Sequence, residues 1–270
     1  MVKIDLITGF LGSGKTTFIK KYAKYLMAQG MNIGILENDF GAVNVDMMLL
    51  KDLEGDQCEL EMVAGGCDAD CHRRRFKTKL IAMGMCGYDR VIVEPSGIFD
   101  VDEFFDVLRE EPLDQWYEIG SVITIMNAKL EDTLSEEAEY LLASEAANAG
   151  CVVLSRSQDA SPEEIAKTRA HLNCALQAVH CSRQFGDEII EKNWEDFTEQ
   201  DLERIQNSGY HVEDYTKLHF PEKEGFQSVC VMNQEMTRQE LEKKVQQLFA
   251  EASYGNVFRV KGFLELPDGN

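Results

Sequence analysis

The run Gly9-Phe10-Leu11-Gly12-Ser13-Gly14-Lys15-Thr16 fits G-x-x-x-x-G-K-[ST] in full. Each residue type suits phosphate. Glycines let backbone N–H groups approach phosphate oxygens, and a helix starting at the end of the run adds its positive dipole end. Lys15 would neutralise β- and γ-phosphates, and the Thr16 hydroxyl would ligate Mg²⁺. The nucleotide-binding set is therefore Gly9, Leu11, Gly12, Ser13, Gly14, Lys15, Thr16 and the following Thr17. The bland alternative, a glycine-rich turn ending in Lys-Thr, is disfavoured by the strand pattern before it and the helical pattern after it.

Two further segments carry acids at strand ends. Arg90-Val91-Ile92-Val93-Glu94-Pro95-Ser96-Gly97 is an apolar run closed by a carboxylate, with glycine three residues on. Glu94 can reach Mg²⁺ or its bound water, and the Gly97 amide can touch a γ-phosphate and report its loss. Leu36-Glu37-Asn38-Asp39-Phe40-Gly41 ends a second run with two acids. Glu37 and Asp39 suit outer-shell contact with Mg²⁺ or the positioning of water. A solvated acidic loop is the competing account of this segment.

A third cluster is sulfur-rich. Cys67 and Cys71 are spaced i, i+4, and share a face if helical; His72 follows directly. Two thiolates with an imidazole suit Zn²⁺, Co²⁺ or Ni²⁺. Two reduced structural cysteines, or a redox-sensitive thiol pair beside Arg73-Arg74-Arg75, fit the same residues. The remaining cysteines are scattered, which implies no disulfide framework.

These groups need a scaffold that brings strand ends together. Strand patterns at 3–8, 32–36, 90–93, 120–126 and 151–154 alternate with helical patterns at 15–29, 73–83, 101–110, 134–148 and 162–177. That alternation predicts an α/β fold with a mainly parallel sheet covered on both faces. Residues 188–207 read as a polar, charged helix. A strand at 225–232, a helix at 237–249 opened by a Thr237/Glu240 capping box, and a strand at 257–266 predict a small C-terminal α+β unit of βαβ type. The division is 1–185, a 186–215 helical connector, and 216–270.

The charge balance narrows the function. The 270 residues carry 27 Lys+Arg and 48 Asp+Glu, net -21. An acidic total argues against broad nucleic-acid binding. No run approaches the ~18 apolar residues of a membrane span, and the first residues read as no secretory leader, so a cytoplasmic protein is expected. Residues 1–50 carry five Lys against four acids, whereas 101–150 carry two basic residues against thirteen acidic ones. The acid excess thus lies away from the phosphate loop, as a solvated or partner-facing surface.

The segments GFLGSGKTT (from Gly9), ENDFGAVNVD (from Glu37), the Gly-Cys pair at 66–67, EPSGIFD (from Glu94) and NVFRVKGFLEL (from Asn256) occur in an order that resembles the CobW-type GTPases, relatives of HypB and UreG. The resemblance implies a P-loop NTPase core with a small C-terminal domain. It implies slow GTP hydrolysis with Mg²⁺, and metallochaperone or metal-insertase work serving zinc, cobalamin-related or nickel chemistry. Lys15, Thr16, Asp39, Glu94 and Gly97 become the catalytic set. Thr16, Glu37, Glu94, Cys67, Cys71 and His72 become the metal set. The implied partner is a client metalloenzyme or other protein, without nucleic acid or membrane; a homo-oligomer is compatible. No glutamine stands out for positioning water, so full activity is expected to need a metal or partner.

Three departures stand against the family pattern. The C-x-C-C motif becomes Cys67-Asp68-Ala69-Asp70-Cys71, and the glutamate of the switch becomes Ala42. The guanine-reading N-K-x-D, expected after the strand at 151–154, becomes Ser155-Arg156-Ser157-Gln158 with Asp159 next. Gln158 cannot accept two hydrogen bonds as a carboxylate does, whereas Asp159 can if the loop shifts by one residue. Guanine over adenine therefore comes from the resemblance. A nucleotide-dependent interaction switch for a corrinoid or metalloenzyme partner, without metal transport, is the alternative function. A small-molecule kinase would need an arginine-rich lid, and no such signature is present.

Overall fold

The computed structural model describes residues 1–10, 12–39, 45–64, 69–95, 101–131, 134–218 and 236–251, with 253, 257 and 260; at 38, 39, 45, 46, 64, 69 and 70 it describes the backbone. The chain runs β1 (Val2–Thr8), α1 (Lys15–Ala28), β2 (Ile33–Asp39), α2 (Val45–Leu50), β3 (Cys58–Ala64), α3 (Ala69–Gly84), β4 (Arg90–Pro95), α4 (Val101–Leu108), α5 (Leu113–Trp116) and β5 (Tyr117–Asn127). It continues with α6 (Glu136–Ala147), β6 (Cys151–Ser155), α7 (Pro162–Ala178), β7 (Ile189–Ile190), α8 (Glu199–Gln206) and α9 (Arg238–Ala250).

All seven strands pair in parallel, in the order β3-β2-β4-β1-β5-β6-β7. Parallel strands buried on both faces read as apolar runs, and β4 is buried at every residue. Alternation along each strand feeds two cores. Leu6, Leu36, Val93, Val122 and Leu154 meet Phe76, Phe104, Leu142 and Leu172 of α3, α4, α6 and α7. Ile7, Ile35, Ile92, Ile123 and Val153 meet Phe18, Tyr22, Leu202 and Ile205 of α1 and α8. This is the expected α/β sandwich, with β1 at its centre.

One polar cluster ties the centre together. Asp5, wholly buried, accepts from Arg90 Nη1 at 2.7 Å, Tyr22 Oη at 2.8 Å and the Ser121 amide at 2.8 Å. A buried carboxylate is tolerated there because each element around it, β4, α1 and β5, supplies a donor.

The structure departs from the sequence expectation at four elements. The strand β3 and the short helices α2 and α5 were not expected. Residues 188–207, expected as one helix, divide into β7, a 3₁₀ turn (Trp194–Asp196) and α8. Ile189 and Ile190 pair with Val152 and Val153 and are buried, so the sheet edge captures them before helix begins at Glu199. The Thr237/Glu240 capping box opens α9 as expected. The strands expected at 225–232 and 257–266 lie outside the described residues, apart from 257 and 260. Among the described residues, no helix is long and apolar enough to cross a membrane.

Candidate nucleotide and metal site

The phosphate loop leaves the C-terminal end of the central strand, where an open parallel sheet offers its crevice. Gly9 has φ 137°, and a Cβ there would lie 2.1 Å from the Ile125 carbonyl oxygen. Gly14, with φ 102°, caps α1 under the Trp194 ring, 3.3 Å from where a Cβ would sit. Both positions require glycine. The first turn of α1 contains no acidic residue, so its amides keep their positive end for an anion.

Lys15 is buried, and its Nζ donates to the Gly9 carbonyl at 2.6 Å. Ser13 Oγ is also buried and, among the described residues, has no hydrogen-bond partner. Thr16 Oγ1 donates to Glu94 Oε1 at 3.2 Å, both residues being buried. Glu37 stands in register with Glu94 on the neighbouring strand. Both carboxylates lie on the α1 face by the alternation that sends Ile35 and Ile92 there. Hard oxygen donors at the foot of a phosphate loop fit Mg²⁺. Thr16 and Glu94 would hold it, with Glu37 in the adjacent row. The cleft above has a volume of about 790 Å³ and is lined by the loop with Glu94, Thr124, Glu145 and Arg156.

The segment expected to read the base follows β6. Arg156 adopts φ 55° and reaches back to the loop, its Nη2 3.4 Å from the Gly12 carbonyl. Ser155 and Ser157 are buried; Gln158 and Asp159 are exposed, within a 3₁₀ turn (Ser157–Asp159). Gln158 Nε2 donates to Asp159 Oδ2 at 3.4 Å, so the two side chains stand side by side. Thr17 is exposed on α1.

Cys71 and His72 lie in the first turns of α3, Cys71 half-buried and His72 buried. Burial, then the Arg75 guanidinium, holds the His72 imidazolium below its ordinary value, which favours the neutral, ligating form. Among the described residues, no three His, Cys, Asp or Glu side chains converge on a metal position. Cys67, Leu11 and Gly97 lie outside the described residues, and for Asp39 only the backbone, at the end of β2, is described.

Sequence reasoning missed two residues of this site. Trp194 donates from Nε1 to the Leu154 carbonyl at 2.8 Å and covers Gly14, a contact across 180 positions with no local signature. Glu145 of α6 is buried in the cleft; an acid inside Leu141-Leu142-Ala143-Ser144-Glu145-Ala146-Ala147 was the available signal.

The family model described as "CobW/HypB/UreG, nucleotide-binding domain" matches residues 3–184. The zinc chaperone YeiR of Escherichia coli K12 is 28% identical over 167 residues, 60% of this chain and 49% of that protein. The zinc chaperone YjiA of the same organism is 29% identical over 138 residues, 47% of this chain and 41% of that protein. The match thus spans half or less of either relative. Among solved structures, the hydrogenase maturation factor HypB from Archaeoglobus fulgidus superposes with a TM-score of 0.46 at 15% identity, covering 76% of this chain and 86% of that one.

Proposed function

The chain belongs to the CobW/HypB/UreG family, and from that premise we propose that it binds GTP with Mg²⁺, hydrolyses it slowly, and uses the cycle to gate transfer of a transition metal to a client metalloprotein. The observation that carries the proposal is the buried Thr16–Glu94 hydrogen bond next to Lys15, at the foot of the loop. Zinc is the favoured cargo because the relatives YeiR and YjiA are named zinc chaperones.

Each residue has a part. Phosphate oxygens are charged acceptors and outcompete the Gly9 carbonyl for the Lys15 ammonium. Ser13 Oγ and the first amides of α1 complete the cradle. Thr16 and Glu94 hold Mg²⁺, which when bound neutralises charge on the transferring phosphoryl group. Asp39 orients water for in-line attack at the γ-phosphorus, whose bond to the bridging oxygen then breaks. The Gly97 amide senses the γ-phosphate. Ser155, Arg156, Gln158 and Asp159 face the base. Cys67, Cys71 and His72, with Glu37 approaching from the switch, take the cargo metal. The same proposal includes the 1–185 nucleotide domain, the 186–215 connector, the 216–270 unit and a cytoplasmic setting.

Titration with Mg²⁺ complexes of GTP and ATP tests the nucleotide part. Binding of GTP at least tenfold tighter, about 1.4 kcal/mol, is the expected result. Equal or tighter ATP binding overturns the guanine assignment.

The altered cysteine spacing, Cys67-Asp68-Ala69-Asp70-Cys71, favours a second proposal: a nucleotide-dependent switch acting on a corrinoid or metalloenzyme partner without carrying metal. Purified protein that takes up no Zn²⁺, Co²⁺ or Ni²⁺ above background, and behaves the same as Cys67→Ser, would support it.

A further inference from the structure

Glu131, Glu145 and Glu251 line the cleft outside the hydrolytic account, and of these Glu145 is the buried one. Glu145 lies near the end of α6, 2% exposed, and its Oε2 has no hydrogen-bond partner among the described residues. Its backbone is fixed at the root of the phosphate loop. Thr124 Oγ1 donates to the Glu145 carbonyl at 2.9 Å, and Thr8 Oγ1 lies 2.8 Å from Thr124 Oγ1 and 3.3 Å from the same carbonyl, so two hydroxyl protons are shared among three oxygens. Thr8 is the residue before Gly9, whose carbonyl holds Lys15. The residue thus lines the same cleft as Lys15, on a backbone held against β1 and β5.

A buried acid without a donor favours its neutral form, because desolvation penalises the anion. Burial pushes the Glu145 carboxyl up to about 8, and Lys15 is the cation that pulls the other way. The cleft also contains Glu94, Lys129, Glu131, Arg156 and Glu251, with Glu131 and Glu251 exposed. Lys129 pairs with Glu164 at 2.7 Å, and His171 of α7 pairs with Glu139 at 2.6 Å. Asp102, at the start of α4, pairs with Lys217 at 2.6 Å. Glu94 faces Thr16, and Arg156 reaches Gly12.

We propose that Glu145 is a positioning residue for the loop lysine: protonated, it leaves the Lys15 ammonium free for phosphate, and ionised, it competes with the nucleotide for that ammonium. The proposal rests on the nucleotide-site assignment above. Incoming phosphate brings negative charge to a carboxyl already short of partners, so the bound state holds the Glu145 proton more tightly than the free state. Binding therefore takes up a proton at alkaline pH, and affinity falls as pH rises through the free-state value.

The test is calorimetric titration of the full chain with Mg²⁺–GDP and Mg²⁺–ADP between pH 7 and 9, for wild type and Glu145→Gln. GDP and ADP are both used because the argument concerns phosphate and not the base. The wild type should lose about tenfold in affinity from pH 7 to pH 9, the slope expected for one proton. Glu145→Gln, which keeps shape and cannot ionise, should stay flat over that range. Titration of the wild type at pH 8.5 in two buffers of different ionisation enthalpy should show net proton uptake, a readout independent of how the variant folds. Parallel pH profiles for the two proteins, or no proton uptake by the wild type, would overturn the proposal. Absence of any binding of either nucleotide at pH 7 would instead overturn the nucleotide site itself, and with it this role.

Discussion

Lys15, Thr16 and Glu94 form the proposed chemical centre, and their contacts define what each substitution should do. Thr16 is bonded to Glu94 within buried surroundings, so the pair is ordered before any ion arrives. Glu94→Gln removes the charge while keeping a carbonyl oxygen to accept from Thr16. It should leave nucleotide binding without Mg²⁺ intact and lower Mg²⁺-dependent hydrolysis by about 10- to 100-fold, as for other residues that support a metal. Steady-state phosphate release at varied Mg²⁺ checks this; unchanged activity would remove Glu94 from the metal set. Lys15, Thr16 and Glu94 were legible in the sequence because phosphate and Mg²⁺ chemistry restricts residue type and spacing within short segments. Glu145 was not legible as a site residue. Its place in the small and apolar run 141–147 signals burial, and only the fold that sets α6 against the cleft makes that buried acid a site residue. Gln158 and Asp159 stand adjacent and exposed, so two side chains are available for the one base-reading role proposed.

At the scale of elements, helix starts are set by acids that bond backbone amides. Ser161 and Glu164 form a reciprocal capping box on α7, and Thr198 and Asp201 form one on α8. Lys129 and the Ser161 amide lower Glu164 to about 2, and Lys192 with the Thr198 amide lowers Asp201 to about 2. A lowered native value means that the folded chain binds fewer protons than the unfolded one. Their stabilising contribution is therefore full above the ordinary carboxylate range and is lost as pH falls toward about 2. Thermal melts should show Tm declining between about pH 4.5 and 2, with a shallower decline for the Glu164→Gln/Asp201→Asn double variant. An identical decline in the two proteins would contradict this origin. The central strands and long helices were legible because apolar runs and 3.6-residue periodicity extend far enough to be read. Strand β3 was missed although Cys58-Glu59-Leu60-Glu61-Met62 alternates apolar and charged residues, the period-2 pattern of a strand at a sheet edge. The two-residue β7 is shorter than any periodic signal, and only the exposed edge of β6 makes Ile189 and Ile190 a strand.

For the whole molecule, the net charge of -21 is distributed with structural consequence. The acid-rich stretch 101–150 is not one uniform solvated face. Glu110 holds Arg73 and Lys77 of α3, Asp102 holds Lys217, Glu139 holds His171, and Glu145 lies in the cleft. Strand β2, which carries Glu37 beside Glu94 of β4, pairs on its other side with β3, the strand that precedes α3 with Cys71 and His72. In the proposed cycle the γ-phosphate and the cargo metal bias neighbouring strands of one sheet, so the two must be thermodynamically reciprocal. The most direct measurement is Zn²⁺ affinity, by competition with a chromophoric chelator, in the presence of Mg²⁺ with a non-hydrolysable GTP analogue, with GDP, and without nucleotide. The proposed cycle predicts at least a fivefold difference in Zn²⁺ affinity between the triphosphate and diphosphate states, about 1 kcal/mol or more, and an equal factor in nucleotide affinity when Zn²⁺ is added. Identical Zn²⁺ affinity in all three states, or no Zn²⁺ binding in any, would contradict it.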